Sequence, residues 1–265
     1  RICADDTLRV ARVTKRFFTF SFSRVKLTAQ KTKGYGKMKK TGKNLMLLGV
    51  ALCAVFGLLT YAVLTFDVKT IGQSGTDVGF ATLNESFFGL TGAHMTLYTV
   101  TDWLGLVPIF VCMFFGMTGL LQLVKRRSLF KVDAEILLLG VYYAAVIFLY
   151  LAFEMIPINY RPMLIDGRCE ASYPSSTTLL VVSVMPTLVF MAERKLKNTA
   201  VKRLIAVCSW MFSTFMVAGR LISGVHWLTD IIGGVLLGAA MFCLYAASVR
   251  LCDERKTKQD VVRRL

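Results

Sequence analysis

Histidine is almost missing from this chain: there are two, His94 and His226. Acidic residues are scarce as well, 16 against 32 Lys and Arg. The seven cysteines include no C-x-x-C pair, and no Cys/His spacing of a zinc site is present. Cys53, Cys112, Cys208 and Cys243 lie in apolar runs, where a thiol packs as a small hydrophobe. Only Cys169 falls in a loop on the predicted outer side, so no disulfide framework is expected there. There is no internal repeat and no pair of apolar segments broken by Gly or Pro, which argues against an inverted-repeat transporter. The basic residues form no single stripe, so nucleic acid is not an expected partner.

What the chain does have is apolar length. It is 55% hydrophobic over 265 residues with positive mean hydropathy, too apolar for an ordinary soluble domain. Six segments stand out, at about Leu45–Phe66, Leu104–Val124, Ile136–Phe153, Leu179–Ala192, Leu204–Gly219 and Ile231–Val249. Most approach the ~20 residues that cross ~30 Å of hydrocarbon. The fourth is short, and reaches a span if its helix begins in Ser175–Thr178, whose hydroxyls can cap free N–H groups; a re-entrant segment is the alternative. Placing the N-terminus in the cytoplasm puts 28 of the 32 Lys and Arg on the inner side, in four separate segments. That asymmetry orients the chain with both termini inside. The loop Asp67–Thr101 carries no motif and reads as an interfacial helix or cap.

Residues 1–37 are basic and end where Met38 begins "MKKTGKNLMLLGV", a sequence that resembles a bacterial membrane-protein start. They read as upstream sequence, or else as a basic arm on anionic lipid. The expected organisation is this segment, a membrane domain over 38–250 and a basic cytoplasmic tail over 251–265.

Four cations remain on the outer side: Lys69, Arg161, Arg168 and Arg220. Insertion gives no reason to keep Arg there, so the three arginines are candidates for holding an anion. The stretch "GRLISGVHWLTD" supplies the rest. His226 and Asp230 are four apart and share a face if the last helix starts near Val225. A carboxylate there can take one imidazole proton and leave the other nitrogen free to attack. Ser175 precedes the fourth apolar segment, where a helix N-terminus also favours an anion. An arginine at a helix end often just snorkels to the interface. Here three segments on one predicted face present complementary groups, and such charges mark a site.

Arg161-Pro162, Pro174-Ser175 and R-x5-H-x3-D over Arg220, His226 and Asp230 resemble the motifs of the type 2 phosphatidic acid phosphatase superfamily. The resemblance covers about Glu154 to Asp230. It implies an all-α, six-transmembrane-helix bundle of the membrane lipid phosphatase type. It further implies that His226 is the nucleophile, that Asp230 orients it, and that Arg161, Ser175 and Arg220 hold the phosphate. The substrate would be a phosphorylated or diphosphate lipid in the bilayer, cleaved on the outer face with no cofactor and no metal.

The chain departs from the family's pattern at four positions. Glu154 stands in place of a lysine, Ser176 of a glycine, Thr177 of a histidine and Gly219 of a serine. That histidine protonates the leaving group in the family, a role worth about 10²–10⁴ in rate that Thr177 cannot fill. A diphosphate, whose leaving group is already acidic, would suffer least. Otherwise a carboxyl with a raised pKa, from Glu154, Asp166 or Glu170, would replace the acid; His94 is a weaker choice. The alternative is a degenerate member that binds phospholipid without turnover.

Overall fold

Hydrocarbon offers the backbone no water, so a chain that enters it must satisfy its peptide groups internally, and helices do this segment by segment. The computed structural model describes residues 41–263 and is helical throughout its apolar runs. Residues 44–249 group as one unit, and 41–43 and 250–263 fall to another. Residues 1–37, and with them the read-through expectation, lie outside the described residues.

Among the described residues, six helical stretches are long and apolar enough to cross a bilayer. α1 is Thr41–Thr65. α2, Ala81–Thr91, is short. α3, Met95–Leu104, and α4, Leu106–Arg126, meet at Gly105 and together form the second stretch, Met95–Arg126. α5 is Ala134–Met155, α6 Ser176–Lys195, α7 Thr199–Ile222 and α8 Leu228–Val262. Side chains such as Leu58, Phe148 and Met211 stay exposed, as a lipid-facing surface requires. The chain is thus a multi-pass membrane protein.

Three expectations change. The second span starts at Met95, nine residues earlier than Leu104–Val124, because α3 runs into α4 at Gly105. The loop expected over Asp67–Thr101 therefore shrinks, and its cap is α2. The last helix begins at Leu228 rather than near Val225, so His226 precedes it. The fourth span does begin in the Ser/Thr run and is one uninterrupted helix, but Ser175 at its N-cap makes no side-chain capping bond.

α6 and α8 are the more deeply buried spans. Gly234 and Gly238, four apart on α8, let the two backbones approach. A Cβ at Gly234 would lie 2.9 Å from the Ser175 carbonyl oxygen, and one at Gly238 would lie 2.9 Å from Val182 Cβ. Gly233 beside them gives the same room to the Tyr173 ring. α5 joins α6 through Tyr142, which donates to the Ser183 carbonyl at 3.0 Å, and through Tyr143 on Thr187 at 2.7 Å.

The connections after α1, α5 and α7 gather at one end of unit 44–249. Buried Asn84 of α2 donates to the Gly79 carbonyl and to Thr229 Oγ1, and accepts the Thr229 N–H. Trp227 Nε1 donates to the Tyr160 carbonyl at 2.8 Å. At the other end, Arg194 pairs with Glu135 at 2.7 Å and Lys195 with Asp133 at 3.3 Å.

Candidate active site

The segment after α5 doubles back on itself. Arg161 N–H donates to the Glu170 carbonyl and Ser172 N–H to that of Asn159, with a tight turn at Asp166-Gly167. This hairpin sets Arg161 opposite Glu170, and their side chains pair at 3.1 Å. Arg220, in the last turn of α7, has Nη1 at 3.5 Å from Oδ1 of Asp102 on α3. Arg220 is 1% exposed and Arg161 8%, so both guanidiniums are sunk in the protein. Each nevertheless has an Nε and an Nη1 without a hydrogen-bond partner. Buried donors are rarely left so, and two such cations side by side have donors free to take an anion.

His226 is buried beside them, between α7 and α8. Its Nδ1 lies 3.7 Å from Asp230 Oδ2, within ion-pair range but longer than a hydrogen bond. That carboxylate oxygen instead accepts the Trp227 N–H at 2.8 Å, which fixes the turn leading into α8. Burial, and after it the charges of Arg220 and Arg161, hold the imidazole well below its ordinary pKa of 6.5. The ring is therefore neutral, with a lone pair available. Ser175, fully buried at the start of α6, is tied in by its N–H bond to the Asp230 carbonyl at 3.0 Å, and its Oγ has no partner.

A cavity of about 760 Å³ reaches this cluster. Arg161, Arg168, Arg220, Thr177 and three carboxylates line its polar part. Leu106 and Ile109 of α4 face Val146, Ile147 and Leu151 of α5 across its apolar part. His226 and Ser175 are buried and are not part of the lining. A molecule with an anionic head and an apolar tail matches this division of the wall.

The structure thus brings Arg161, Arg220, Ser175, His226 and Asp230 to one end of the bundle. Glu154 and Glu170 line the cavity, as Thr177 does. Asp166 sits exposed at the tip of the hairpin, away from the lining, and His94 is exposed with Nε2 against the Thr91 carbonyl at 2.9 Å. Sequence reasoning missed Tyr98 and Asp102, which stand one turn apart on α3 and both line the cavity. Their four-residue spacing puts both on one helix face, but does not say what that face meets.

No curated protein matches the chain. Among solved structures it is similar to the crystal structure of a transmembrane PAP2-type phosphatidylglycerolphosphate phosphatase from Bacillus subtilis. The identity is 18%, the TM-score 0.54, and the match covers 75% of this chain and 94% of that one, a likeness of fold. A family model described as the PAP2 superfamily matches residues 110–252, which include every residue of the predicted cluster. The chain belongs to the PAP2 superfamily.

Proposed function

We propose that the protein is a membrane lipid phosphatase that removes phosphate from a phosphate or diphosphate lipid through a phosphohistidine. One observation carries the reading: two buried, hydrogen-bond-deficient guanidiniums lie next to a neutral buried histidine, at the polar end of a cavity whose other end is apolar. Family membership and the fold of the Bacillus subtilis phosphatase support it.

In this mechanism the lipid tail enters between α4 and α5. The phosphoryl oxygens take the unpartnered nitrogens of Arg161 and Arg220 together with the Ser175 hydroxyl. An imidazole nitrogen of His226 attacks phosphorus in line, and the P–O bond to the lipid breaks with its electron pair going to the lipid oxygen. That oxygen takes a proton from an acid. Asp230 holds the ring and offsets the imidazolium charge. Water then attacks the phosphohistidine, releasing inorganic phosphate and restoring the ring. With Thr177 in the acid's place, the proton comes from Glu154 or Glu170, or the leaving group is a phosphate that needs none. Lys69, Arg161, Arg168 and Arg220, on the segments at the site's end of the bundle, against 28 elsewhere, orient the site to the outer face with both termini in the cytoplasm. Residues 38–250 form the membrane domain, 251–265 its cytoplasmic tail, and 1–37 lie upstream of it.

Purified chain in detergent micelles, offered phosphatidylglycerolphosphate, phosphatidic acid and a polyprenyl diphosphate, should release inorganic phosphate from at least one. His226→Ala should release none. Equal release by the two proteins removes the catalytic assignment. Lipid binding without release from any of the three establishes instead a non-catalytic binder, the reading that the Thr177 and Glu154 substitutions favour. Loss of the rate in Glu154→Gln or Glu170→Gln, most severe for the monophosphate lipids, would name the acid.

A further inference from the structure

Two guanidiniums that share an anion repel one another, and their side chains are long and flexible. Something has to hold them apart and aimed. In this protein both lie against a single ring. The centroid of Tyr98 is 5.9 Å from Arg161 Cζ and 5.0 Å from Arg220 Cζ. One helical turn further along α3, Asp102 reaches Arg220 Nη1 at 3.5 Å, while Glu170 reaches Arg161 Nη2 at 3.1 Å. Each arginine therefore has the common ring and one carboxylate of its own.

α3 is seated firmly enough for this. A Cβ at Gly219, the residue before Arg220, would lie 2.7 Å from Thr101 Cγ2, and Thr101 Oγ1 is itself bonded back to the Leu97 and Tyr98 carbonyls. Gly224, at φ +71°, leaves room for the Gly92 carbonyl, and the His94 N–H donates to the Ser223 carbonyl at 2.9 Å. The N-terminal half of the second span is thus fixed against the turn that carries Arg220 and His226.

We infer that Tyr98 and Asp102 are positioning residues that set the spacing and aim of the two phosphate-binding arginines. The kinetic side of this inference rests on the phosphatase reading; the binding side does not. The ring attracts each cation and fills the gap between them, so neither collapses toward the other or swings to the membrane. Asp102 approaches Arg220 from the open cavity: its side chain is 58% exposed where that of Arg220 is 1%. It restrains the guanidinium without enclosing it, and the unpartnered Nε stays available. A carboxylate beside an anion site also opposes ground-state phosphate binding. Asp102 thus trades affinity for alignment, and alignment is what raises kcat.

The test measures inorganic phosphate binding by calorimetry and phosphatidic acid turnover, on the full chain in micelles, with melting temperatures taken for every variant. Tyr98→Phe keeps the ring and should stay within about twofold of wild type in both. Tyr98→Leu should lose about tenfold or more in phosphate affinity and in kcat. If it does not fold, Tyr98→Met, with similar volume and no π face, takes its place. Asp102→Asn should lower kcat about tenfold while binding phosphate at least as tightly as wild type, a split that a merely structural residue does not produce. Asp102→Glu should recover part of that kcat. Wild-type phosphate affinity in a folded Tyr98→Leu, or wild-type kcat in Asp102→Asn, would overturn the inference. If wild type binds phosphate yet releases none from any lipid, the phosphatase reading fails, and the binding arms alone decide for or against Tyr98 and Asp102.

Discussion

Gly219 of α7 and Thr101 of α3 are packed so closely that a Cβ on the glycine would come within 2.7 Å of the threonine methyl. Thr101 is buried and β-branched, so it has little freedom to turn away. The glycine that departs from the family's serine is therefore a requirement of this chain's own packing. Gly219→Ser, which restores the family's pattern, should destabilise the protein by about 1–3 kcal/mol through overpacking. It should also lower turnover, because α3 is moved off Arg220. A melting curve and an activity measurement on one preparation check both, and an unchanged melting temperature would refute the packing account.

Acid should weaken the fold through His226. Its folded pKa is depressed by burial and by Arg220 and Arg161, so the folded chain excludes a proton that the unfolded chain accepts below about pH 6.5. Stability is fully present above that value and falls as pH drops beneath it, by at most about 1.4 kcal/mol per pH unit. Between about pH 8 and about pH 5, wild type should lose more melting temperature than His226→Gln does, and equal losses would refute this contribution. By the same shift, the acid limb of the rate profile should not lie at the ordinary histidine value.

One buried side chain ties α2 to the turn before α8. Asn84 is fully buried, and its amide serves both Gly79 and Thr229, the neighbour of Asp230. Asn84→Ala leaves those groups unpaired at a cost of about 1–3 kcal/mol. Hydrogen exchange should quicken over residues 79–91 ahead of the rest of the bundle. Unchanged protection there would show that α2 is held by other contacts.

The seam between α6 and α8 admits no methyl group at Gly234, where a Cβ would meet the Ser175 carbonyl at 2.9 Å and Thr178 Cβ at 3.0 Å. Gly234→Ala should cost about 1–3 kcal/mol and pull the start of α6 away from Asp230. Turnover should fall more than the melting temperature alone accounts for. The same substitution at Gly57, where a Cβ would meet nothing within 4 Å, is the control and should leave turnover unchanged.

Much of this was legible from residues alone. Apolar runs of spanning length have one solution in a bilayer, so six spans could be counted and the four cations apart from the rest singled out. The cluster of Arg220, His226 and Asp230 followed from spacing, since four residues make one turn. Spacing also misled at one point. A common helix face for His226 and Asp230 needs a helix start near Val225, but the helix starts at Leu228; the two side chains still approach to 3.7 Å, and the Trp227 N–H bonds the same carboxylate oxygen. Asp166 and Glu170 were equivalent as sequence, both acids in one loop. The hairpin then turned one to solvent and the other onto Arg161.

Composition and local period determined that this chain crosses a membrane six times and keeps four cations apart from the other 28, because burial in lipid and helical spacing are local constraints. Tertiary structure alone decided that α3 belongs to the site. Tyr98 and Asp102 meet the arginines across more than sixty residues of sequence, through an approach that glycines on α7 and in the following turn make possible. Contacts of that range depend on how helices cross, and no local pattern encodes a crossing.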